Sequence, residues 1–179
     1  MLPTIRLEDC NYQACFCEEN VWHLLHSTIL SERKKCVIFI SNQKRQVAVW
    51  GQRAAKNNDF VIWDYHVVLL LPSEGVIIDL DDCEKTSWQI SEWLHHAFRE
   101  DIQEQYMPMF RVIAGDEFIL KFSTDRSHMT DKSIPHPKWS PPFNQDLGMN
   151  LMRFVDVLDP IAGIVVNKSD LIKIVSSFC

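Results

Sequence analysis

A chain of 179 residues, 46% of them hydrophobic and including ten Phe and six Trp, is long enough to hold a core without covalent staples. Chains of this size bury roughly 70% of the surface that their unfolded form exposes. The net charge of −6 excludes the broad basic face that nucleic-acid binding requires. No apolar run approaches the ~18 residues of a membrane span; Val67 to Leu71 is only five long. Met1–Arg6 lacks the apolar core of a leader, so the six cysteines, at 10, 15, 17, 36, 83 and 179, are expected reduced, in the cytosol or also the nucleus. The sequence carries no internal repeat, and residues 1–179 read as one domain.

Residues 17–30 predict a helix, with Glu18 and Glu19 in the first turn and a stripe of Val21, Leu24, Leu25 and Thr28. Cys36–Ser41 and Gln46–Trp50 predict short strands around the turn Asn42-Gln43-Lys44-Arg45. Phe60–Leu71 is apolar on both faces apart from Asp64 and His66 and predicts one central strand, returned through Pro72-Ser73-Glu74-Gly75 as a strand over Val76–Leu80. A helix is expected over 87–101, where Ile90, Trp93, Leu94, Ala97 and Phe98 recur at helical spacing. A strand at Phe110–Ala114 and a short helix at 116–122 precede a polar, proline-bearing loop over 123–148. Helices at Asn150–Val157 and Ser169–Phe178, the latter with Ser169 as N-cap, close the chain. Antiparallel hairpins with flanking helices define an α+β class.

Two features carry chemistry. Cys17 stands at a predicted helix start, where unpaired N–H groups favour a thiolate and can hold an oxyanion. The polar Glu18-Glu19-Asn20 that follow suggest a site left open to solvent. His66 lies inside an apolar strand, where a histidine needs a third group to fix its tautomer. If Leu71 pairs with Val76, His66 lies opposite Asp81 and diagonal to Asp79, and all three share a face. This register leaves Asp79 and Asp81 as alternatives. Tyr65, adjacent in the same strand, points the other way and reads as structural. Cys10, Cys15 and Cys17 cluster, but no second CxxC or HxxxH pair follows, so no zinc site is expected.

The order thiol, imidazole, carboxylate is that of papain-like and transglutaminase-like enzymes. The segments Cys10-x-Tyr12-x-x-Cys15-Phe16-Cys17-Glu18-Glu19-Asn20-Val21-Trp22, Phe39-Ile40-Ser41-Asn42, Val61-Ile62-Trp63-Asp64-Tyr65-His66-Val67 and Asp79-Leu80-Asp81 resemble the protein N-terminal glutamine amidohydrolase family. So do Phe110-Arg111-Val112-Ile113 and Asp125-Arg126-Ser127-His128-Met129. The resemblance implies a papain/transglutaminase-like core, a Cys17–His66–Asp79 triad, and conversion of N-terminal glutamine to glutamate without a metal or organic cofactor. It further implies service in the N-degron route, acting on proteins and peptides with a free N-terminal Gln; a monomer is expected, since nothing in the sequence suggests an obligate interface. Restriction to a chain terminus calls for a carboxylate that reads the α-ammonium. Glu19 and Asp64 are the leading candidates and Glu18 a weaker one, with Glu18 and Glu19 equally suited to complementing the helix dipole and Asp64 to pairing with Arg126. Arg126 and Ser127 are expected either to bond the substrate backbone or to pin the loop.

Overall fold

The computed structural model describes residues 3–56 and 59–176. Its centre is β4 (His66–Leu71), six residues that are all buried. Burying a Val or Leu side chain contributes about 1.5–3 kcal/mol. The run Val67–Leu71 therefore anchors the strand strongly enough to hold one imidazole rigidly at its first position. β4 pairs on one side with β1 (Cys36–Ser41) and on the other with β5 (Val76–Ile78). The remaining strands are β6 (Ser87–Gln89) beyond β5, then β7 (Met109–Ala114) and β8 (Ile164–Val166) beyond β1. They complete a six-stranded sheet of order β6-β5-β4-β1-β7-β8, antiparallel at each described pairing. β2 (Val47–Trp50) and β3 (Phe60–Trp63) form a separate two-stranded ribbon.

The alternation of β1 and β4 sorts the core into two layers. Val37, Phe39, Val67, Leu69 and Leu71 face α1 (Cys17–Leu25), α3 (Gly115–Lys121) and α4 (Leu151–Val155). Ile38, Ile40, Val68 and Leu70 face α2 (Ile90–Ala97), α5 (Lys168–Ser176) and the β2–β3 ribbon. The architecture is thus α+β, an antiparallel sheet covered by helices on both faces. Arg111 of β7 is 2% exposed and donates to the carbonyls of Phe154, Asp156, Asp159 and Ala162, fastening the segment after α4 to the sheet.

Several boundaries differ from the sequence expectation, each for a local reason. The first helix stops at Leu25, and Ser27 then caps a 3₁₀ turn over Thr28–Leu30 by accepting the Ile29 N–H. The expected single strand 60–71 is two, broken at Asp64-Tyr65. There Asp64 Oδ1 accepts the Tyr65 N–H and the Asp64 carbonyl accepts the Ser41 hydroxyl. Ser87–Gln89 pairs with β5 as an edge strand, so the helix expected at 87–101 begins only at Ile90 and ends at Ala97. β8 was not expected at all. Asn167, not Ser169, is the capping side chain of α5, its Oδ1 accepting the Asp170 N–H at 2.9 Å; the expected end at Phe178 lies outside the described residues. The turn register was read correctly, with Leu71 opposite Val76 and Leu69 opposite Ile78.

Candidate active site

The entry to α1 is set by backbone and buried amides, since its N-cap, Phe16, makes no side-chain capping bond. Cys15 takes a left-handed φ of 68°, a conformation that costs a non-glycine residue on the order of 1 kcal/mol. Asn20 holds that bend: its Nδ2 donates to the Gln13 carbonyl and its Oδ1 accepts the Gln13 N–H, both at 2.9 Å. Cys17 thereby becomes the first helical residue, packed against β4. The next three side chains are buried, at 0% exposure for Glu18 and Glu19 and 1% for Asn20. That corrects the expectation of a polar, open face. In this stretch the helix turns its polar side chains inward.

Glu19 is held by Arg126, whose Nε and Nη2 each donate to it at 2.7 Å, while Trp139 Nε1 donates at 2.9 Å. A buried bidentate pair of this kind ties the loop 123–148 to the helix. The partner of Arg126 is therefore Glu19 rather than Asp64. Ser127 is exposed and donates its N–H to Asp125 Oδ1 at 2.8 Å. Glu19, Arg126 and Ser127 are not among the residues lining the cavity described next.

That cavity, about 200 Å³, has room for one extended side chain. Its apolar walls are Trp63, Tyr65, Met129 and Ile134, and its polar groups include Cys17, Asp64, His66 and Asp81. The bend at Asp64 explains why Tyr65 and His66, expected on opposite faces of one strand, both reach it. Tyr65 is therefore a site residue that strand parity concealed.

The imidazole is oriented from behind. His66 Nε2 lies 2.9 Å from Asp79 Oδ1, which also accepts the Asp81 N–H at 3.1 Å. Asp79 Oδ2 accepts from Gln52 Nε2 and Trp93 Nε1, both at 3.2 Å. Burial opposes the Asp79 charge, but the neighbouring His66 and the donors from His66, Trp93 and Gln52 outweigh it and hold the carboxyl below its ordinary range. Burial likewise pulls His66 down, and Asp79 more than compensates, raising it. With Nε2 engaged, Nδ1 is the ring nitrogen left for proton exchange. Asp81 also lines the cavity but does not hold the ring, accepting the Tyr12 hydroxyl at 2.7 Å instead. His66, Asp79 and Asp81 each bring one ligating atom within 4.8 Å of the others, a set that could hold a cation. Asp79 has both oxygens already engaged by protein donors.

The thiol side is less satisfied. Burial, then Glu18, Asp81 and Asp64, push the Cys17 thiol well up, against the Val67 N–H, which favours the thiolate. Glu18 Oε2 lies 3.7 Å from Sγ and accepts the Tyr65 hydroxyl at 3.0 Å. Glu18 Oε1 accepts no hydrogen bond and faces His128 Nε2 at 3.5 Å. Burial pushes the Glu18 carboxyl up to about 7. The sequence offers Glu18 only as the weakest of three candidates for reading an ammonium and does not single out His128; a glutamate in a first helical turn gives no sign of which way it points.

A thiol at a helix start that shares a small cavity with an imidazole oriented by a carboxylate has the parts of nucleophilic acyl-group hydrolysis. Comparison with known sequences narrows that class. The family model described as N-terminal glutamine amidase matches residues 12–175. Relatives named protein N-terminal glutamine amidohydrolase are 37% identical over 167 residues in Bos taurus, covering 86% of this chain and 80% of the relative. The Homo sapiens relative of that name is 36% identical over 167 residues, covering 86% and 81%. The Danio rerio one is 33% identical over 181 aligned positions, covering 92% and 88%. The chain belongs to the N-terminal glutamine amidase family.

Proposed function

We propose that this chain removes ammonia from the side chain of an N-terminal glutamine, leaving N-terminal glutamate, with Cys17 as nucleophile and the His66–Asp79 couple as its acid–base partner. The observation that carries the reading is the convergence of Cys17, His66 and Asp64 on one cavity sized for a single side chain. Cys17 passes its proton to His66 Nδ1, and the thiolate adds to the carboxamide carbon. The backbone N–H at the start of α1 holds the developing oxyanion. His66 returns the proton to the leaving nitrogen, which departs as ammonia and leaves a thioester. Water then attacks, deprotonated by His66, and the thiol is regenerated. Asp79 fixes the imidazole tautomer and stabilises the imidazolium throughout.

The amine-reading role falls to Asp64, which lies on the cavity wall, is exposed, and has spent only Oδ1 on the local Tyr65 N–H. Glu19, engaged by Arg126, leaves that role. An ammonium anchored at one end and a thiol at the other measure side-chain length, so asparagine, one methylene shorter, reacts poorly. The proposal extends to a papain/transglutaminase-like core, a single catalytic domain, a monomer, and work in the cytosol and nucleus for the N-degron route.

Ammonia release by wild type and Cys17→Ala, on Gln-, Asn- and N-acetyl-Gln-initiated peptides, tests the reading. Release from the free Gln peptide by wild type alone is the expected result. Equal behaviour of the two proteins, turnover of the acetylated peptide at the free-amine rate, or cleavage of the peptide bond would overturn it.

A further inference from the structure

The groups around Cys17 carry a surplus of acid. Its own helix contributes Glu18, 3.7 Å away, and the segment before it contributes Cys15. The bend before β4 brings Asp64 and Tyr65, β4 brings His66, and the segment after β5 brings Asp79 and Asp81. The loop over α1 brings His128. No Lys or Arg lines the cavity among the described residues. Arg126, the nearby guanidinium, is spent on Glu19, and Asp79 is matched by His66. Asp81 is offset in part by His66 and Arg53, but Glu18 meets only His128, whose burial disfavours the charged ring, and Asp64 has no ion pair among the described residues. One oxygen of Glu18, in a side chain with 0% exposure, accepts no hydrogen bond. A protein seldom leaves a buried carboxylate oxygen unserved unless something else is to meet its charge.

We infer that the missing counter-charge is the substrate's α-ammonium, and that its arrival arms the nucleophile. In the empty cavity Glu18, Asp64 and Asp81 hold Cys17 as a thiol; the bound ammonium offsets them and lets the thiol give its proton to His66. This rests on the amidohydrolase reading and deepens it, because the group that marks a chain terminus then also switches on the chemistry. No co-reactant is involved: the proton moves from Sγ to Nδ1 and leaves later with ammonia. A glutamine side chain without a neighbouring ammonium, internal or acetylated, enters the cavity and meets an unarmed thiol. The discrimination therefore falls on kcat as well as on KM.

Alkylation of Cys17 by iodoacetamide, a neutral probe that needs no glutamine, reads the thiolate directly. The intact chain is labelled between pH 6 and 9.5, and Cys17 is resolved from the other cysteines by peptide mapping. A favourable shift of one unit in a thiol's pKa is tenfold in thiolate. Glu18→Gln is expected to speed Cys17 labelling about tenfold at pH 7.5, and Asp64→Asn severalfold. Glycinamide, a free α-ammonium without a reactive side chain, is expected to speed labelling of wild type, and N-acetylglycinamide at equal concentration to leave it unchanged. Labelling of the folded variants at or below the wild-type rate would overturn the inference, as would equal effects of the two amides. If Glu18→Gln fails to fold, Asp64→Asn, at an exposed position, carries the same comparison. Ammonia release is measured separately. Its absence with the thiol response intact would reject the amidohydrolase reading alone.

Discussion

Asp79 and Glu18 are both carboxylates with 0% exposure, one against the His66 ring and the other near the Cys17 thiol, and they have opposite fates. Asp79 accepts from the His66 ring, the Asp81 N–H, Gln52 and Trp93, and stays ionised below its usual range. Glu18 has the Tyr65 hydroxyl and the thiol on one oxygen and no hydrogen bond on the other, and is pushed up to about 7. Burial raises both; at Asp79 the adjacent His66 charge and its donors overcome it, whereas at Glu18 the donors do not and the neighbouring Glu19 adds to it. The imidazole side of the site is thus built to hold a fixed negative charge. The thiol side is built around one that needs a visiting cation.

That contrast breaks most sharply at Asp79. Asp79→Asn removes the charge and favours the wrong tautomer, so kcat for ammonia release falls about 10³–10⁴-fold with little change in KM, as such replacements do in hydrolytic triads. Next comes the clamp beside the thiol. Arg126→Met leaves Glu19 buried without its cation, and breaking a buried pair costs about 3–5 kcal/mol, read from the urea midpoint. Glu18→Gln should act in the opposite direction. The folded-state value for Glu18 is raised from 4.5 to about 7, so its stability contribution is present in full below pH 4.5 and is lost as pH rises through 7. Relative to Glu18→Gln, wild type is expected to lose roughly 3 kcal/mol between pH 4.5 and 8, measured as diverging unfolding curves. Smallest is Asp81→Asn, which keeps a partner for Tyr12 and leaves the His66–Asp79 contact intact; turnover drops less than about tenfold. Equal losses from the two aspartate variants would erase the distinction between the residue that orients His66 and its neighbour.

How much of this the sequence carried follows from the range of each interaction. The turn Pro72–Gly75, with Gly75 at a left-handed φ of 62°, fixed a register that brought both aspartates near His66. It did not choose between them. The chain leaves the sheet after Ile78, and Asp79 is then turned toward His66 by Gln52, before β3, and Trp93 on α2, contacts 27 and 14 residues away in sequence. Periodicity could place Cys17 at a helix start because the helix stripe is local. It misjudged Tyr65 because an apolar run does not reveal a bend, and the bend at Asp64 depends on Ser41 from β1. Glu18 and Glu19 carried the same sequence signal, two acids in a first turn. Only tertiary packing separates the one clamped by Arg126 from the one left short of a partner beside the thiol.

The central claim is that Cys17 carries the acyl group, and trapping that group tests it most directly. A Gln-initiated peptide is mixed with the protein, quenched with acid at early times, and the intact chain is weighed and mapped. The expected result is an adduct equal to the peptide minus one ammonia, confined to Cys17, rising before free product and enriched in Asp79→Asn if deacylation is slowed more than acylation. An adduct on Cys15 or Cys10, an adduct of a shortened peptide, or full wild-type turnover by Cys17→Ala would contradict it.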